Sequence, residues 1–331
     1  MKTVYCNCGN TLFFDSTTCL KCSADTGICP VCNCMTDLPS EKPIALKCGR
    51  SQCGAALKRC PNFVENGCNR CTTVENVTSG TICDYCQTTT VIPDLAVEGN
   101  REKWTQLEAA KRRVLAILDE LRLPFRAEAV SNGPDLSFEF RADAAGNVRT
   151  GHENGRITIN IREADDVERE VARVSFQEPQ RTLVGHFRHE LGHYYWEVLV
   201  KGEREGDFRS VFGDERNPDY ATSLQTYHSN GPPSGWQVEY ISGYATMHPW
   251  EDFAETFGAY LDMVTVLKTA QHFGIADPFP SDADELIRQY QRVGLVANEL
   301  NRDMGLIDLV PEVIQPPVVR KLKFIHQLIE P

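Results

Sequence analysis

The chain has 331 residues, 41% hydrophobic and 24% charged, which describes a folded polypeptide long enough for two domains rather than a disordered one. Its 34 Lys+Arg and 46 Asp+Glu give a formal net charge of −12; the first 95 residues hold 8 of each, so the remaining 26 basic and 38 acidic residues carry the whole imbalance. An acidic body argues against non-specific nucleic-acid binding, which needs phosphate neutralisation, and the absence of a run of ~18 apolar residues argues against a membrane span.

The N-terminus lacks the apolar core and small-residue cleavage site of a secretory signal, so a cytoplasmic chain is expected. All 14 cysteines lie between Cys6 and Cys86, and the last 245 residues contain none. In a reducing compartment such a block indicates metal ligation rather than disulfides. Two thiolates separated by two residues can reach one zinc from a single tight turn. Cys6, Cys8, Cys19 and Cys22 form one such set. Cys29, Cys32, Cys48 and Cys53 can form a second. Cys68, Cys71, Cys83 and Cys86 have the spacing of a zinc ribbon. Cys34 and Cys60 are left over: Cys34 is an alternative to Cys32, and Cys60 to Cys53 or Cys71. All-thiol sets leave no position for water, so two or three structural zincs are expected, stabilising a segment too poor in apolar residues to fold alone. A protein partner for this segment is a further expectation.

A linker containing Pro93 and Gly99 separates an expected domain 1–92 from a second, 100–331. From Arg101 to Leu123, Trp104, Leu107, Val114, Leu115, Ile117, Leu118 and Leu121 recur at helical spacing, and Pro124 ends the helix. Leu136–Arg141 and Arg156–Arg162 read as strands, with Ile157, Ile159 and Ile161 alternating with polar residues. Asn154-Gly155, just before the second, is a tight-turn signal. Beyond Glu163 the pattern is mainly helical, apart from a turn-rich interval, His228–Gly235, that would suit a lid.

The stretch Thr182–Val200 contains His189-Glu190-Leu191-Gly192-His193. Residues four apart on a helix share a face, so both imidazoles can hold one metal, with the Glu190 carboxylate beside it. Leu183, Val184, Phe187, Leu191, Tyr195 and Leu199 supply a buried stripe, and His186 suits a structural role. The pattern also occurs in helices whose histidines are merely satisfied polar groups, so the third ligand decides. A third histidine shortly downstream is absent, because Trp196 and Leu199 occupy the places it needs. Tyr244–Leu261 reads as a helix carrying Glu251 and Glu255 one turn apart. Such a pair can provide one metal ligand and one carboxylate that accepts a ligand histidine's other N–H.

RTLVGHFRHELGHYYW, YATMHPWEDFAETF and the preceding GHENGRITINIREADDVERE, over roughly Tyr5 to Phe273, resemble the family of zinc-binding metallopeptidases with an N-terminal zinc ribbon. More distantly the chain resembles gluzincin peptidases, in which a Glu on a downstream helix completes a two-histidine site. That likeness implies Glu251 as third ligand and Glu255 as the partner of a ligand histidine. In the lethal-factor branch a Tyr seven residues before the ligand Glu assists catalysis; here that is Tyr244. The family pattern places a cysteine at the position of Cys60 with those at Cys68, Cys83 and Cys86, whereas spacing alone selects Cys71.

The fold expected is α+β: a zinc-ribbon module, then a mainly helical zincin-like catalytic domain with a short sheet beside the two-histidine helix. The function expected is hydrolysis of a protein or peptide by a metal-activated water. Glu190 would be the general base, with Tyr244, or His248 in its place, stabilising the oxyanion. The alternatives are a zinc-ribbon interaction module with a non-catalytic peptidase-like body, and a zinc amidase acting on a non-peptide substrate.

Overall fold

The structure, a computed structural model, describes residues 2–38, 46–50, 52–74, 81–125, 133–143, 146–175 and 181–329. The last two residues of the expected second domain, Glu330 and Pro331, lie outside them. The chain divides into two compact units: Met1–Leu115 with Ser137–Val148 and Ile159–Ala164, and Ala116–Leu136 with Arg149–Thr158 and Asp165–Pro331.

The first unit is built on small antiparallel pairs. They are β1 (Val4–Tyr5) with β2 (Thr11–Leu12), β3 (Asp25–Cys29) with β4 (Cys34–Leu38), and β5 (Leu46–Lys47) with β6 (Ala56–Arg59), which also pairs with β7 (Cys71–Thr73). Strands this short cannot bury enough apolar surface to fold unaided. Their cores are correspondingly small and largely sulfur: Val4, Leu12, Ile28 and Met35 around Cys6 and Cys19, and Leu38 and Leu57 around Cys29, Cys48 and Cys71. Short helices α1 (Asn62–Asn66) and α2 (Asp84–Gln87) flank the last cysteine pairs. The strand β8 (Thr89–Val91) then pairs in parallel with β9 (Ser137–Arg141), realising the first predicted strand. Helix α3 spans Asn100–Glu120, as its periodicity indicates.

In the second unit β10 (Gly151–Glu153) and β11 (Arg156–Asn160), the latter contributing residues to both units, form a hairpin closed by Asn154 and Gly155. Both turn residues have positive φ, 49° and 77°, the conformation of a type I′ turn. Gly155 is required twice over, because a Cβ there would stand 2.4 Å from the Asp135 carbonyl oxygen. Around this lie α4 (Asp166–Ser175), α5 (Leu183–Leu199), α6 (Glu205–Phe212), α7 (Tyr220–Asn230), α8 (Pro249–His272), α9 (Ala283–Asp303) and α10 (Pro316–Ile329). The expected α+β class is what the structure shows.

Helices α5 and α8 form the centre of this unit, with Phe187, Leu191, Tyr195, Phe253, Phe257, Tyr260 and Leu261 all essentially inaccessible. Thr182 caps α5, its side chain accepting the Gly185 N–H. Arg188 of α5 reaches α8 by donating to Asp262 at 2.7 Å, and Tyr290 of α9 donates to the other oxygen of the same carboxylate at 3.1 Å. Trp196, at the place of the glycine that would lead to a third histidine at Leu199, packs edge-on against Phe208 and Trp250. Among the described residues no helix is long and apolar enough to cross a membrane.

The helix expected from Tyr244 onward begins later. Tyr244–Thr246 is a separate 3-10 turn, and α8 starts at Pro249 with His248 as its cap. The proline explains the break: it favours the first helical position and disfavours helix in the residue before it. The interval His228–Gly235 begins inside α7, which runs on to Asn230 before Gly231 ends it at φ 68°.

Candidate metal centres

Four groups of side chains, among the described residues, converge closely enough to share an ion: Cys6, Cys8, Cys19 and Cys22; Cys29, Cys32, Cys48 and Cys53; Cys60, Cys68, Cys83 and Cys86; and His189, His193 and Glu251. In the thiol groups the sulfurs approach to 3.7 Å (Cys6–Cys22), 3.6 Å (Cys8–Cys19), 3.7 Å (Cys29–Cys53), 3.8 Å (Cys32–Cys48), 3.8 Å (Cys60–Cys86) and 3.6 Å (Cys68–Cys83). A tetrahedron with Zn–S bonds of about 2.3 Å has edges of roughly 3.8 Å, whereas a disulfide would need about 2.05 Å. The spacing therefore fits zinc thiolates. In the third set the Cys83 N–H donates to the Cys60 sulfur at 3.3 Å, and hydrogen bonds from Cys60, Cys83 and Cys86 drive the Cys68 thiol far below its ordinary range.

The third set corrects the spacing-based assignment: Cys71 is not part of it and Cys60 is. Cys71 opens β7, directly opposite Arg59, and its buried sulfur packs with Leu38 and Leu57. Cys60 follows β6 at the point where the chain turns into α1. Pairing of β6 with β7 thus directs Cys71 inward, and burial raises its thiol to about 12. Cys34, opposite Cys29 in the β3–β4 register, also lies outside the sets.

In the fourth group, α5 presents His189 and His193 one turn apart, and α8 brings Glu251 across from them. Glu251 Oε2 stands 3.0 Å from His189 Nε2 and 3.4 Å from His193 Nε2, and the two nitrogens are 3.2 Å apart. Zinc with N and O ligands at about 2.0–2.1 Å has tetrahedral edges of roughly 3.3 Å, so the triangle matches three corners. Glu251 is 1% exposed and its Oε2 faces those two imidazole nitrogens, while among the described residues the buried Oε2 of Glu190 has no hydrogen-bond partner. A buried carboxylate oxygen without a donor is costly unless a cation answers it. Burial disfavours the charged forms of Glu251 and His189, yet their partners outweigh it: His193 and His189 hold Glu251 well below its ordinary value, and Glu251 and Glu255 hold His189 well above its own. The residues present fit a divalent cation.

Glu255, one turn along α8, takes the His189 Nδ1 at 2.6 Å. That bond keeps a ring proton on Nδ1, so that a cation displacing the Nε2 proton would find Nε2 as the lone-pair donor pointing at Glu251 and His193. Glu190 is 7% exposed, and burial raises its carboxyl above the ordinary value. Tyr244 lies beside the site, its ring 5.8 Å from that of His189.

A family model described as "Putative zinc-binding metallo-peptidase" matches residues 100–328, and a zinc-ribbon model matches residues 3–97. The chain belongs to this zinc-binding metallopeptidase family. Proteins of Mycobacterium bovis and of two strains of Mycobacterium tuberculosis, each called an uncharacterized protein, are 34% identical to it, covering 100% of this chain and 96% of their own lengths. No solved structure matches.

Other side chains beside the histidine pair bear on what this site can do. His248 is committed elsewhere: its Nδ1 accepts the Trp250 N–H at 3.2 Å and its Nε2 donates to the Glu215 carbonyl at 3.0 Å. It caps α8 and is not free to serve an oxyanion, so Tyr244 remains the candidate. Two residues at the site were given no role from sequence. Tyr220, opening α7, donates its hydroxyl to Glu251 Oε1 at 2.8 Å. His152, on β10, stacks on His193 with centroids 6.5 Å apart and planes 14° apart. Burial first, and His193 second, depress the His152 imidazole to about 4, so it is neutral. His152 adjoins the Asn154-Gly155 turn signal, which places it on a strand end; nothing local in the sequence singles out Tyr220.

Proposed function

We propose that the chain is a gluzincin-type zinc peptidase that hydrolyses peptide bonds, its catalytic zinc held by His189, His193 and Glu251, and that each closed thiol set holds a structural zinc. The convergence of two imidazole nitrogens and one buried carboxylate oxygen beside Glu190 carries this reading. Zinc bound there would supply Lewis-acid charge that acidifies water and polarises the scissile carbonyl.

Glu190 takes the proton from the attacking water and passes it to the leaving amine. Its raised pKa makes it the more basic acceptor that this task requires. Tyr244 donates its hydroxyl to the oxyanion; burial keeps that hydroxyl protonated. On the other side β10 packs beside α5, and among the described residues it pairs only with β11. Its second edge offers backbone groups to an extended peptide. Thiolate ligation of zinc belongs to a reducing compartment, which supports a cytoplasmic setting.

The decisive test compares the parent with Glu190→Gln. The variant is expected to keep its full zinc content and lose peptide hydrolysis by about 10²–10⁴-fold. Undiminished hydrolysis would overturn the mechanism.

A further inference from the structure

The geometry points to Tyr220 as a positioning residue that fixes which oxygen of Glu251 faces the metal; this rests on the zinc reading above. A carboxylate has two equivalent oxygens and can offer either or both to a cation. In Glu251 they are made inequivalent. Oε1 accepts the Tyr220 hydroxyl at 2.8 Å, while Oε2 faces the nitrogens of His189 and His193. Because Glu251 is 1% exposed, bulk water is poorly placed to supply the bond that Tyr220 gives.

The tyrosine is itself well held. Its backbone starts α7 immediately after the cap residue Asp219, whose side chain accepts both the N–H and the hydroxyl of Thr222. Its ring sits edge-on to His248 at 5.3 Å and near Trp250 at 6.2 Å, and both neighbours lie within the three residues before Glu251. The phenol therefore reaches the ligand from a helix that contributes no ligand of its own. Hydrogen bonds to ligating carboxylates are worth about 10–100-fold in metal affinity.

Tyr220→Phe removes the hydroxyl and keeps the ring packing, and Tyr290→Phe is the control. Tyr290 also donates to an α8 carboxylate, that of Asp262, but away from the metal ligands. The full-length zinc-loaded chains would be titrated with a chelator, the histidine-held equivalent being the one absent from His189→Ala/His193→Ala. Tyr220→Phe is expected to release that equivalent at about 10–100-fold lower chelator strength, with the thiol-held zinc and the thermal unfolding profile unchanged, and Tyr290→Phe to match the parent. Equal retention by Tyr220→Phe and the parent would overturn the role of Tyr220 alone. A parent with no histidine-held equivalent would overturn the metal reading and this inference with it.

Discussion

Gly192 and Ala254 meet backbone to backbone: a Cβ on Gly192 would lie 2.5 Å from the Ala254 Cα and 2.9 Å from its carbonyl oxygen. Gly192 sits between Glu190 and His193, and Ala254 between Glu251 and Glu255, so this crossing sets the separation of the two ligand-bearing helices. No side-chain rotation can relieve the contact, because its partner is backbone. Gly192→Ala should therefore push α5 from α8, at an overpacking cost of about 1–3 kcal/mol. Denaturant unfolding should show that loss, and zinc counting should show the histidine-held metal released while the thiol-held metal stays. Full zinc retention with unchanged stability would mean that the crossing is slacker than described.

The assignment of Cys60 over Cys71 has an equally direct consequence. Cys60→Ser should remove one zinc equivalent or sharply weaken it, since it takes one of four thiolates from a closed set. Cys71→Ser should keep every equivalent and pay only for a hydroxyl placed among Leu38, Leu57 and Cys48. Mass spectrometry of the native chains reads both. The opposite pattern would restore the assignment made from spacing.

What could be read from the sequence divides along contact range. The His189–His193 pair, the Asn154-Gly155 hairpin and α3 depend on neighbours within one or two turns, and each appears where local chemistry puts it. Pro249 was equally local, and its effect on the start of α8 was the part left unread. Cys71 failed for a different reason. A two-residue spacing suits a zinc turn, but the same residue belongs to a strand whose register with β6 turns it into the core. Tyr220 lies 31 residues from Glu251 and His152 41 residues from His193, and neither sits in a pattern of its own. Only the packing of α7 and β10 against α5 and α8 brings them in. Glu251 and Glu255 are one turn apart, so spacing could not say which of them binds.

That last ambiguity can be tested directly. Glu255 takes the His189 Nδ1–H at 2.6 Å, whereas Glu251 faces the Nε2 atoms of both histidines. Glu255→Ala should weaken the histidine-held zinc by about 10–100-fold without abolishing it. Glu251→Ala should abolish it, leaving two protein ligands. Chelator titration distinguishes the cases, and the reverse order would exchange the two roles.

Lys321 of α10 carries the final prediction, because it holds the residue next to Glu251. Its ammonium lies 2.6 Å from Asp252 Oδ2 and donates to the Glu239 carbonyl at 2.7 Å, with both side chains almost wholly buried. Burial raises Asp252 from 3.8 to about 7, against the pull of Lys321. A carboxyl whose folded pKa is raised stabilises the fold at low pH. That contribution fades as pH rises from the unfolded value through about 7. Lys321→Ala leaves Asp252 buried without its cation, and because the carboxyl can take up a proton instead, the charge part of the cost is limited to about 1.4 kcal/mol at about pH 8. The deficit relative to the parent should be larger at about pH 8 than at about pH 6, because protonation of Asp252 removes the unpaired charge. Lys321→Met with Asp252→Asn should recover most of it at both pH values. Urea unfolding of the three chains at the two pH values measures this, and a deficit independent of pH would show that the loss comes from packing against Phe212 and Tyr240 rather than from charge.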